Sequence, residues 1–94
     1  MNAENLNLSQ IKADLSQELP RSYEVVKVWT GCYTQKGIKV YVVIKQLDKM
    51  PMVSCVALSI LENKFGKLWD VEWKGNKCFE FGYELTEKSY YYHD

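Results

Sequence analysis

Between residues 23 and 47, and again between 67 and 85, apolar side chains return at every second position, the period of a strand with one face buried. In the first stretch Val26, Val28 and Cys32 share parity with Ile38, Val40, Val42 and Ile44, so one hairpin with these residues inward is expected. A three-residue loop, Gln35-Lys36-Gly37, preserves the parity and places Gly37 where positive φ is needed. It also sets Thr34 opposite Ile38, Cys32 opposite Val40 and Val28 opposite Ile44. In the second stretch Trp69, Val71 and Trp73 alternate with Leu68, Asp70, Glu72 and Lys74. Phe79, Phe81, Tyr83 and Leu85 alternate with Cys78, Glu80, Gly82 and Glu84. A two-residue Gly75-Asn76 loop would set Trp73 against Cys78 and turn every side chain to the wrong face. An odd-length loop around Gly75 to Lys77 is therefore expected, with Trp73 opposite Phe79.

The rest of the chain reads differently. Residues 7–19 fit a helix: Asn7 can cap it, Gln10 stands at the capping-box position, and Leu6 and Ile11 at the staple positions. Leu8, Ile11, Leu15 and Leu19 form a narrow stripe, and Pro20 ends the run. Residues 52–65 fit two descriptions. As a strand, Met52, Val56, Leu58 and Ile60 face inward; as a helix, Val53, Val56, Ala57, Ile60 and Leu61 form a stripe between Pro51 and Gly66. Lys64 at the stripe's centre and Leu58 behind it favour the strand. The tail, 86–94, is either a short further strand or an ordered arm. The expected fold is one α+β domain spanning residues 1–94, with the N-terminal helix packed on a curled antiparallel sheet of four to five strands, mostly meander-connected. One helix about 10 Å wide cannot cover strands spaced about 4.8 Å apart in that number. The sheet must curl, residues 53–65 must supply a second helix, or another molecule must cover the remainder.

Charge changes the picture through its distribution. The 94 residues carry twelve basic and twelve acidic side chains, for a net charge of zero. Residues 21–49 hold Arg21, Lys27, Lys36, Lys39, Lys45 and Lys49 against Glu24 and Asp48, a net +4. Residues 68–94 hold three lysines against six acids, a net −3. The molecule is a dipole, with no overall field to steer it toward nucleic acid or membrane. The start, MNAENLNLSQIK, resembles no signal peptide, and three cysteines without paired spacing argue against a disulfide framework, so a cytoplasmic location is expected.

Candidate chemistry is sparse. The single histidine, His93, could form a dyad only with Cys32, Cys55 or Cys78, and nothing in their spacing joins them. Asp70, Glu72, Glu80 and Glu84 share one face of the second hairpin but alternate with core positions, the pattern of a solvated surface. Glu72 facing Glu80 would call for a cation from a partner. No metal-ligand spacing and no phosphate-binding glycine motif occurs. No catalytic residue, metal, cofactor or small-molecule substrate is expected.

One constellation remains, the odd positions of the first hairpin: Tyr23, Val25, Lys27, Trp29, Tyr33, Lys39, Tyr41, Val43 and Lys45. Rings interleaved with ammonium groups suit a protein interface anchored by aromatics. They also suit single-stranded nucleic acid, which needs stacking platforms and neutralised phosphates. Good strand formers with soluble tips would look the same. The expected function is a non-enzymatic binding or regulatory protein that docks a protein partner, or itself as a homodimer, through Lys27, Trp29, Tyr33, Lys39, Tyr41 and Lys45. Single-stranded nucleic-acid binding through that face is the alternative.

Overall fold

The computed structural model describes residues 6–49, 53–86, 89 and 91. The chain runs α1 (Leu8–Glu18), β1 (Tyr23–Tyr33), β2 (Gly37–Gln46), α2 (Cys55–Phe65), β3 (Leu68–Gly75) and β4 (Cys78–Thr86). The fold is α+β. Its open four-stranded antiparallel sheet has the order β1-β2-β4-β3. Two of the three connections between strands are hairpins. The third passes through α2, which carries the chain beyond β4 so that β3 takes the edge. β2 and β4 occupy the centre because their inward residues are the bulkiest continuous apolar sets: Ile38, Val40, Val42 and Ile44, with Phe81, Tyr83 and Leu85, all buried.

Local chemistry sets the first helix where the sequence places it. The Asn7 side chain accepts from the Gln10 amide at 3.0 Å, and Leu6 and Ile11 are both buried as a staple requires. Gln10 does not reach back to the cap; its Nε2 donates to Asp14 Oδ1 at 2.8 Å. The Leu19 N–H closes on the Leu15 carbonyl, and Pro20 follows.

Residues 55–65 form a helix, so the strand reading of 52–65 is corrected; Pro51 and Met52 lie outside the described residues. Ser54 caps the helix by accepting from the Ala57 amide at 3.2 Å, and Gly66 ends it at a φ of 98°. Its buried stripe is Ala57, Leu61 and Phe65, rotated from the expected one. That rotation leaves Val56 exposed and moves Lys64 to the flank, where its Nζ lies 3.2 Å from Glu18 of α1. Lys64 spoils the expected stripe but not the real one. The second helix is also what covers the sheet that α1 alone could not.

The register of the first hairpin differs from expectation at two points. Val28 lies opposite Val42, Thr30 opposite Val40 and Tyr33 opposite Ile38, with irregularities at Val26 and at Gly31–Cys32. Each irregularity inserts a residue and reverses the parity beyond it. Val25 is buried in place of Val26, Tyr33 moves to the helix side of the sheet, and Cys32 is exposed instead of lying in the core. The turn is Thr34–Gly37, closed by the Thr34 amide on the Gly37 carbonyl and the Gly37 amide on Thr34 Oγ1. Gly37 does not take positive φ. It is needed because a Cβ there would overlap the Leu85 carbonyl oxygen on β4. In the second hairpin Trp73 faces Phe79 and Val71 faces Phe81. Asn76 and Lys77 both take positive φ, with Gly75 (φ 83°) absorbing the extra residue. Beyond β4, Ser89 Oγ donates to the Phe65 carbonyl at 2.7 Å and Tyr91 packs on Phe65, so these two tail residues close the far end of the core.

Candidate functional site

Residues directly opposite one another on adjacent strands share a face, so the pairings lay out the sheet as rows. On the helix side the rows are Val28–Val42–Phe81–Val71, Val25–Ile44–Phe79–Trp73 and Thr30–Val40–Tyr83–Leu68. Burial along them ends at β4. Val71 is 50 % exposed and Trp73 68 %, because neither helix extends over the edge strand. These two residues, expected in the core, form an apolar ledge.

On the outer side the rows are Trp29–Tyr41–Gly82–Asp70 and Lys27–Val43–Glu80–Glu72, flanked by Lys39–Glu84 and by Glu24–Lys45–Cys78. Among the described residues no element packs over this side. Trp29 and Tyr41 stack with centroids 5.3 Å apart and planes 21° from parallel. The Tyr41 ring lies between two glycines: a Cβ on Gly31 would come within 2.7 Å of its Cε2, and one on Gly82 within 3.1 Å of its Cε1. A side chain at Gly31 would force the ring to move, and one at Gly82 would crowd it. The glycines therefore leave room for the Tyr41 ring against the sheet. Lys27 Nζ sits 5.0 Å from the Trp29 centroid, and Lys39 Nζ 4.8 Å from that of Trp69. An irregularity between Leu68 and Asp70 delivers Trp69 to this side, where the alternation in the sequence had assigned it inward.

Five of the six residues read from the sequence, Lys27, Trp29, Lys39, Tyr41 and Lys45, share the outer face. Tyr33 does not; the insertion at Gly31–Cys32 turns it to the helix side at the hairpin tip. Tyr23 and Val25 also leave the expected set. Tyr23 Oη accepts from the Ser54 amide at 2.7 Å, tying β1 to the start of α2, and Val25 joins the core. Trp69 is the residue sequence reasoning missed, since an inserted residue has no signature in alternating polarity.

The face is split by charge. The β1–β2 half carries Lys27, Lys39 and Lys45 with Glu24; the β4–β3 half carries Glu80, Glu84, Asp70 and Glu72 with Lys74. Glu72 does face Glu80, and the cation between them comes from the same strand: Lys74 Nζ lies 3.3 Å from Glu72 and 3.6 Å from Glu80. Its hydrogen bond to Glu72, and then the charges of both carboxylates, hold the Lys74 ammonium above its ordinary value. At the end of the face, a groove of about 620 Å³ opens between Lys36, Lys67, Trp69 and Glu84.

Cys32 and Cys55 are exposed and Cys78 half-buried, its Sγ 3.6 Å from the Asn76 carbonyl. His93 lies outside the described residues. No group of three metal-ligating side chains is found among the described residues, and none of their helices is long and apolar enough to cross a membrane. Comparison of the chain with protein-family models, curated proteins and solved structures returns no match.

Proposed function

We propose that the protein is a non-enzymatic binding or regulatory module that docks a protein partner through the outer face of its sheet. The observation that carries this reading is the stacked Trp29–Tyr41 pair, given room by Gly31 and Gly82 and left uncovered by both helices. Stacked rings already held in place lose little side-chain entropy on binding, which is why Trp and Tyr serve as interface anchors. Lys27, Lys39 and Lys45 beside them supply electrostatic complementarity to an acidic surface. Single-stranded nucleic acid is the second reading, favoured by the same rings and lysines. The carboxylates of Glu80, Glu84, Asp70 and Glu72 on the same plane oppose it, because a strand crossing the face would meet them.

A photoreactive amino acid at position 41 tests the reading, with one at the exposed Lys12 of α1 as control. In native cells, discrete protein adducts from position 41 and none from position 12 are expected. Equal adducts from both positions, nucleic-acid adducts, or none from position 41 would sink it.

A further inference from the structure

Resting on that reading, we infer that the occupant of the outer face is a second copy of this chain, packed sheet to sheet about a two-fold axis parallel to the strands between β2 and β4. Such an axis keeps each row at its own level and exchanges left for right. The β1–β2 half of one copy then lies over the β4–β3 half of the other. Lys39 meets Glu84 of the other copy, and Lys27 meets its Glu72. Lys39 and Glu84 are already direct neighbours within one sheet, so the axis gathers two lysines and two glutamates into an alternating quartet. Tyr41 of each copy lies over Gly82 of the other, where no side chain holds the sheets apart, and Trp29 lies over its Asp70.

The other two-fold arrangements fail on the same observations. An axis in the plane of contact but across the strands lays the lysine half on the lysine half, which is repulsive. An axis perpendicular to the sheet joins edges instead of faces. The β3 edge is blunted there, since the Asp70 carboxylate takes the Val71 amide at 2.9 Å, and β1 is interrupted at two points. Facing sheets cross at about 30° and pack about 10 Å apart. β1 lies about 7 Å from the axis, so this crossing shifts Lys27 by about 4 Å, within the reach of a lysine stem.

Size sets the strength. Four strands of about eight residues present a face of roughly 500 Å² per copy. The total of about 1,000 Å² lies at the lower limit for specific association. The dimer is therefore weak, reversible and sensitive to salt.

Sedimentation equilibrium on the full chain tests this with two charge-reversed variants, K27E/K39E and E72K/E84K. The wild type is expected to self-associate, with a dissociation constant rising at least about tenfold from low to high salt. Each variant alone is expected to be monomeric, because its two halves now carry one sign. Mixed in equal amounts, the two variants are expected to form a heterodimer. A wild type that stays monomeric at the highest soluble concentration overturns the inference. So does a variant that still dimerises alone, or a mixture that does not associate. Far-ultraviolet circular dichroism checks folding, and if a double variant is unfolded the single variants K39E and E84K are measured in its place. Adducts from position 41 to a different protein, with a monomeric wild type, overturn the dimer and leave the docking reading standing.

Discussion

Two residues show how a single side chain governs this molecule. Gly37 is required by contact, since any Cβ there meets the Leu85 carbonyl on β4. Gly37→Ala is expected to destabilise by about 3 kcal/mol or more, read as a lowered urea midpoint, because the obstruction is backbone and cannot rotate away. A loss under about 1 kcal/mol would show that β2 and β4 lie further apart at that end. Tyr83 is buried beneath Phe65, their rings 5.1 Å apart. Burial pushes its phenol well above its ordinary value, and the Glu62 carboxylate adds to the shift. The folded state thus keeps a proton that the unfolded chain releases near pH 10. The unfolded state binds fewer protons above that pH, so the stability from this group is complete below it and falls as pH rises further. Tyr83→Phe is expected to flatten the decline of stability above pH 10. Parallel alkaline curves for variant and wild type would refute this.

At the scale of elements, edge and centre separate residues that sequence treats alike. Trp73 and Phe81 both occupy inward positions of alternating strands, yet one is exposed and the other buried. Phe81→Ala is expected to cost about 3–5 kcal/mol, from lost burial and the cavity it leaves. Trp73→Ala is expected to cost under about 1 kcal/mol, since its ring leaves little water behind on folding. Urea denaturation of both variants measures the contrast, and equal losses would mean that β3 is covered in solution. Hairpin existence was legible from period-two alternation, and the Trp73–Phe79 register from parity alone. The irregularities at Val26, Gly31–Cys32 and Leu68–Asp70 were not. An extra residue costs little locally, and it is stabilised by what packs beyond it.

For the whole molecule, zero net charge conceals an ordered division. The lysine-rich hairpin and the carboxylate-rich hairpin meet edge to edge at β2 and β4, so the dipole of the chain becomes a dipole across one face of the sheet. That geometry separates the two readings of function by salt. Fluorescent oligothymidylate is expected not to bind at physiological ionic strength. If it does bind, with log affinity falling at a slope of about −2 against log salt, as three phosphate contacts would give, the nucleic-acid reading replaces the protein one.

Sequence alone determined what depends on neighbours close along the chain: the Asn7-capped helix, two hairpins, the alternation within β2 and β4, and the Lys27, Trp29, Lys39, Tyr41 and Lys45 set. Tertiary structure decided what depends on distant chain. It chose helix over strand for residues 55–65, because Ala57, Leu61 and Phe65 had a sheet to lie on. It placed β4 beside β2, left Val71 and Trp73 bare, and carried Trp69 to the outer face. Each of those outcomes turns on which surface is left to be covered once the other elements have packed, and local polarity does not record it.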